Sequence, residues 1–267
     1  MSPKRTCQRI NVCFSIRARI AKERSGRRKA TAASSVPMGL SNVLQNNKRS
    51  PILFYVMSTE YKVKKQYDRI AQVYDQRWKR YIESSLLFLK QWLQLTGKEK
   101  ILDVACGTGV LEELLLSQNP SQEIVGVDLS GNMLEIAKGR LTAYPNITFH
   151  QASVSDLPFA GETFDLVVCA NSFHYFEDPE VSLSQMRRVL KVRGRLIVMD
   201  WCRDYIVCRL CDLFLKVFDP AHNNCYSLKE LERFLASSGL RFLREQKFRL
   251  FFIWGMMIAE AVPPHVL

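Results

Sequence analysis

Residues 57–267 predict an α/β fold: a doubly wound, mostly parallel sheet with an antiparallel last strand and helices on both faces. Three observations carry this expectation. Short, near-continuous apolar runs alternate with stretches of helical periodicity, as parallel strands buried on both faces require. The first two runs end in a glycine-bearing turn and in an acid, at the end of the sheet where open α/β folds present ligand loops. The last two runs, 241–247 and 250–261, follow each other with no helix between them and so predict a closing antiparallel pair.

The elements follow in order. Tyr67, Ile70, Tyr74 and Trp78 recur at helical spacing and predict a helix over 60–78. Ile82, Leu86, Leu89 and Leu93 predict a second helix over 81–95. Ile101–Ala105 is the first strand and Leu111–Leu116 the helix after its turn. Ile124–Val127 is the second strand, stopped by Asp128, and Ser130 can cap the helix that carries Met133, Leu134 and Ile136. Ile147–His150 and Phe164–Ala170 are the third and fourth strands, 181–190 is a helix, and Leu196–Asp200 is the fifth strand. Tyr205–Phe218 and Leu228–Ala236 read as helices ahead of the closing pair.

Charge divides the chain. It has 267 residues and a net charge of +12. Residues 1–56 hold twelve basic groups and one acid, Glu23, so the tail carries +11 of that total. A nucleic-acid-binding face on the body is therefore not expected from net charge. High charge and weak apolar periodicity predict a disordered tail. Being Arg-rich, Ser-containing and nearly acid-free, it matches an organelle transit peptide or a polybasic arm. Met57-Ser58-Thr59-Glu60 also reads as a protein start, so a mis-called start codon or an idle tail fits equally. The apolar run from Leu250 to Ala259 is too short to span a bilayer. Eight scattered cysteines read as reduced thiols. The expected location is cytoplasmic, or an organelle if the tail is a transit peptide.

Two loops carry the chemistry. In Asp103-Val104-Ala105-Cys106-Gly107-Thr108-Gly109, small residues let the backbone approach a ligand. As a dinucleotide fingerprint it fails, because Glu112 stands where a third small residue is needed and its carboxylate would face a diphosphate. A nicotinamide-dependent dehydrogenase is therefore disfavoured. Asp128 ends the second strand about 20 residues on, where an acid grips ribose hydroxyls.

These residues, together with Leu129-Ser130 and Met133, Leu157-Pro158-Phe159, Phe164-Asp165, Leu190-Lys191 and Gly194-Arg195-Leu196, resemble the ordered motifs of the Rossmann-like class I S-adenosylmethionine-dependent methyltransferases. The resemblance runs from about residue 60 to 200. Tyr67-Asp68-Arg69-Ile70-Ala71 with Tyr74-Asp75 is similar to the N-terminal helix of the ubiquinone/menaquinone C-methyltransferase group. The resemblance implies S-adenosylmethionine as cofactor. It implies that Asp103, Ala105, Gly107 and Gly109 border the methionine part, and that Asp128 holds the ribose. Leu129 and Met133 would pack on adenine, Ser153 and Val154 would lie at its edge, Tyr67 and Tyr74 would close over it, and Asn171 would complete the site. Ser153 departs from the pattern, since many relatives carry there an Asp that accepts from the adenine amine. Ala105 for Gly and Val192-Arg193 for Pro-Gly are further departures.

The acceptor side is less specified. His174, in Asn171-Ser172-Phe173-His174-Tyr175-Phe176 past strand four, is the candidate general base, with substrate positioning or a structural role as alternatives. This loop lacks the Pro-Pro-aromatic sequence typical of enzymes that methylate adenine or glutamine amides. An insert over 201–226 offers Trp201, Tyr205, Leu210, Phe214, Phe218 and Tyr226 and is expected to line a pocket for a small lipophilic or aromatic acceptor, quinone- or phenol-like. Peripheral contact with a lipophilic substrate is part of that expectation. Cys208 and Cys211 have ligand spacing but sit in an apolar run, so no metal is expected. The alternatives are an RNA or protein methyltransferase that docks through the tail, and a non-catalytic cofactor-binding module.

Overall fold

The computed structural model describes residues 58–219 and 221–264. The expectations for residues 1–56 lie outside the described residues. The chain runs α1 (Thr59–Leu93), β1 (Lys100–Val104), α2 (Val110–Leu116), β2 (Glu123–Asp128), α3 (Gly131–Arg140), β3 (Ile147–Gln151), β4 (Phe164–Ala170), a 3-10 turn (Phe173–Tyr175), α4 (Pro179–Val189), β5 (Leu190–Trp201), α5 (Ile206–Phe218), α6 (Leu228–Ser237), β6 (Arg241–Leu250) and β7 (Trp254–Val262). The strands form one sheet in the order β3-β2-β1-β4-β5-β7-β6. The neighbours from β3 to β5 pair parallel, and β7 runs antiparallel to both β5 and β6. The chain reverses its direction of travel across the sheet between β1 and β4, so the ligand-bearing crevice lies at their carboxyl ends.

The sheet is buried on both faces because its central strands are apolar on both. In β4, Phe164, Val167 and Cys169 join one core, while Leu166 and Val168 join the other. The first core is closed by α4 and α6 through Leu183, Met186, Leu231 and Leu235. The second is closed by α1 and α2 through Leu86, Leu89, Leu93, Leu111 and Leu115. Caps set the helix starts. Ser130 Oγ accepts from the Met133 N–H, Asp178 accepts from Glu180 and Val181, and Ser227 with Glu230 forms a reciprocal capping box on α6.

One expectation is corrected. The two helices expected over 60–78 and 81–95 are a single 35-residue helix, α1. No Gly or Pro interrupts residues 59–93. The shift in apolar phase near residue 80 reflects a change of neighbours instead. The first half faces the loops after β1 and β2, and the second half lies on the sheet core.

Candidate active site

The cleft opens at the carboxyl ends of β1 and β2. It is lined by Glu60, Val63, Lys64, Tyr67, Tyr74, Val104, Ala105, Gly107, Val127, Asp128, Leu129, Ser130, Met133, Ala152, Val154, Ser172, Tyr175 and Phe176. Eight of the residues expected from sequence line it: Tyr67, Tyr74, Ala105, Gly107, Asp128, Leu129, Met133 and Val154.

The β1 loop is shaped for close approach. Ala105, Gly107 and Gly109 all have positive φ, at 60°, 58° and 78°. A Cβ added at Gly107 would meet nothing within 4 Å, so the backbone there faces open space. Gly109 is different. A Cβ there would press on Ala137 and Leu141 at 3.1 Å, so this glycine serves helix packing and starts α2. Asp128 Oδ2 accepts from the Gly107 N–H at 2.9 Å and Oδ1 from the Ser130 N–H at 2.8 Å. Each oxygen keeps a second lone pair for a ligand. Burial pushes the Asp128 carboxyl up to about 6, against the pull of those two donors.

The floor below is acidic. Asp103 and Glu112 are buried, and neither Glu112 oxygen meets a donor. A hydrogen bond between the two carboxyls therefore needs a proton between them. Burial, reinforced by the neighbouring Glu112 charge, holds Asp103 well above the usual carboxylate range. Glu112 does not face the cleft as the fingerprint argument supposed; it lies under the loop against Asp103.

Two aspartates of α1 fasten the helix over the cleft, and the sequence reading gave them no role. Asp68 accepts from Ser130 Oγ and Lys64 Nζ, each at 2.6 Å. Asp75 accepts from Thr108 Oγ1 at 2.6 Å and pairs with Arg140. Their spacing of seven residues, two helical turns, was the available signal. Ser153 does not line the cleft. Its hydroxyl, with that of Ser155, bonds to Glu60, and Glu60 lines the cleft in its place.

Asn171, expected at the cofactor, and His174, expected on the acceptor side, do not line the cleft. Asn171 sits at φ 59° and accepts from Tyr81 Oη at 2.8 Å while donating to Ser85. His174 is buried, its Nδ1 2.8 Å from Asp200 Oδ1 and its ring stacked on Trp201 with centroids 4.3 Å apart. An ionised carboxylate only accepts, so Nδ1 donates and Nε2 remains, buried and without a partner. His222 forms a second pair with Asp212 at 2.8 Å, and its ring centroid lies 5.7 Å from that of His174. Burial lowers the His222 pKa. Tyr175 bridges the two zones, edge-on to Tyr67 in the cleft at 5.5 Å and 4.1 Å from His174.

The expected acceptor pocket over 201–226 is corrected in part. Trp201 joins the His174 cluster, but Tyr226 is buried in the sheet core, and Leu210 and Phe218 point outward. Cys208, Cys211 and Cys225 are buried, and among the described residues no group of three or more His, Cys, Asp or Glu side chains could hold a metal ion.

The cleft fits S-adenosylmethionine. Asp128 offers acceptor oxygens for hydroxyls, Leu129, Met133 and Val154 offer an apolar surface for a purine, and the open backbone at Gly107 admits an amino-acid part. Comparisons with known proteins agree. A methyltransferase-domain family model matches residues 101–194. The demethylmenaquinone methyltransferase of Thermotoga maritima is 31% identical over 192 residues, covering 66% of this chain and 80% of its own length. The ubiquinone/menaquinone biosynthesis C-methyltransferase of Syntrophotalea carbinolica is 37% identical over 147 residues, covering 51% of this chain and 59% of that protein. The putative methyltransferase solved in complex with the Haloferax volcanii Trm112 activator shares the fold, with a TM-score of 0.65 at 18% identity over 74% of this chain and 98% of that one. The chain therefore belongs to the class I S-adenosylmethionine-dependent methyltransferases, and S-adenosylmethionine is its cofactor.

Proposed function

We propose that this enzyme methylates a small lipophilic or aromatic acceptor of quinone or phenol type, with His174 as general base. The observation that carries the reading is the buried His174–Asp200 pair, whose free Nε2 lies in an aromatic cluster one ring removed from the cleft. The two quinone-pathway relatives are similar to this chain and support the same acceptor class.

The bound cofactor would supply an activated sulfonium methyl, whose carbon would bond the acceptor atom in line as the carbon–sulfur bond breaks and the thioether leaves. The residues of this chain hold and align the reactants. Asp128 accepts from both ribose hydroxyls. Leu129, Met133 and Val154 pack on the adenine. Glu60, presented by Ser153 and Ser155, accepts from the adenine amine in place of the missing aspartate at 153. Gly107 and Ala105 let the backbone approach the methionine part, which Asp103 borders from beneath. Tyr67 and Tyr74 exclude water from above. His174 Nε2 takes the proton that a phenol or aromatic carbon loses, and Asp200 stabilises the imidazolium that results. General-base help of this kind contributes ~10²–10⁴-fold.

The test uses methyl-tritiated S-adenosylmethionine, the full chain and an extract of its source, with Asp128→Ala as control. Label in the organic phase supports the reading. Label in protein or RNA removes it and favours docking through the basic tail.

A further inference from the structure

We propose that the outward face of α5, with the tip of the β6–β7 hairpin, docks the enzyme on a lipid bilayer bearing anionic headgroups. Helix α5 is apolar on two sides. Cys208, Cys211 and Leu215 face the core. On the other side Ile206, Leu210, Leu213 and Val217 follow one another at spacings of four, three and four, with exposures of 77%, 62%, 59% and 74%. A stripe this long has no reason to face water in a monomer and marks an interaction surface.

The stripe continues into the hairpin. Phe251, Phe252 and Ile253 are all exposed at its tip, Phe252 to 88%. The two elements are fastened to each other. The Tyr205 ring, just before α5, lies so close to Gly255 that no Cβ fits there, and it carries the Arg249 guanidinium 5.1 Å from its centroid. Lys247 pairs with Asp204 at 3.1 Å, and Cys208 Sγ reaches the Gly255 carbonyl.

Charge selects the occupant. Over residues 204–218 and 247–253 the exposed cations are Arg209, Lys216, Lys247 and Arg249; Lys216 pairs with the buried Asp212 and Lys247 with Asp204, which leaves Arg209 and Arg249 as the excess positive charge. Cations flanking an amphipathic stripe are what anionic headgroups attract, while the apolar side chains enter the acyl boundary. A lipophilic acceptor held in that bilayer would give the docking its use; only that purpose rests on the proposed function.

The basic tail would itself bind anionic vesicles through salt-screened attraction, so the test must report on the face. Phe252→Trp in the full chain is mixed with phosphatidylcholine/phosphatidylserine vesicles, with and without brominated acyl chains. The added tryptophan should be quenched by the brominated chains at high salt. Leu210→Gln/Phe252→Ser should lower salt-resistant partitioning by at least about tenfold while leaving calorimetric cofactor binding unchanged. No quenching beyond that of the wild type, or undiminished partitioning of the double variant, would overturn the proposal. So would a double variant that changes only the oligomeric state in light scattering, since the face would then join two copies of the chain. Docking without methyl transfer to any lipid-phase acceptor would leave the face standing and remove the quinone reading.

Discussion

The two halves of the active site are built differently. The loops of the proposed cofactor half are shaped by local backbone. Three positive-φ residues follow β1, an acid ends β2, and a serine caps α3, all within residues 103–133. The proposed acceptor half is made of side chains from separate elements: His174 after β4, Asp200 and Trp201 at the end of β5, Tyr81 from the middle of α1, and His222 after α5. Local construction suits a ligand common to a whole family. Assembly from distant side chains lets an acceptor pocket change without disturbing the cofactor loops.

The comparison yields tests of decreasing size. Replacing His174 by Gln together with Asp200 by Asn should lower methyl transfer by ~10²–10⁴-fold. Cofactor affinity measured by calorimetry should hold, which separates the halves and shows that the variant is folded. If affinity fell equally, the two halves would not be independent.

Asp128→Ala should act on the other half alone. Losing charge-assisted hydrogen bonds to ribose costs ~1.5–3 kcal/mol, or about 10- to 100-fold in cofactor affinity. The same carboxylate sets a pH dependence. With its pKa raised to about 6, affinity should fall as pH drops below that value, and Asp128→Asn should flatten the profile.

Glu112→Gln probes stability rather than binding. A carboxyl whose folded pKa is raised stabilises the fold below its unfolded pKa and loses that contribution as pH rises through the folded value. Burial raises Glu112 from 4.5 to about 7, so the cofactor-free protein should lose stability across that window. The Gln variant should lack the slope and gain ~2 kcal/mol at pH 8 in denaturant unfolding. The smallest effect expected is for Glu60→Gln, about 1 kcal/mol in cofactor affinity from one weakened hydrogen bond to a half-exposed carboxylate. A larger loss would mean that Glu60, more than Asp128, anchors the nucleoside.

The cofactor half was legible in the sequence because its determinants are neighbours in the chain. Glycines mark the left-handed turn, Ser130 marks a cap, and Asp128 ends an apolar run, each by its own backbone chemistry. The parallel strands and the closing antiparallel pair were legible for the same reason. Glu60 was not, since nothing local says that a carboxylate from the start of α1 meets Ser153, 93 residues away. The continuity of α1 was also hidden, because one helix that changes partners midway carries the same pattern as two helices.

The sequence by itself determined the fold class and the two ligand loops, which depend on local conformation and on apolar periodicity that each residue and its neighbours encode; the enzyme family came from the resemblance of its ordered motifs. Only the tertiary structure decided that Asp200 orients His174, that Glu112 is buried beside Asp103, and that one face of α5 looks outward. Such facts depend on which distant side chains the packed sheet brings together. An apolar helix reads alike whether its second face meets a core, a substrate or a membrane.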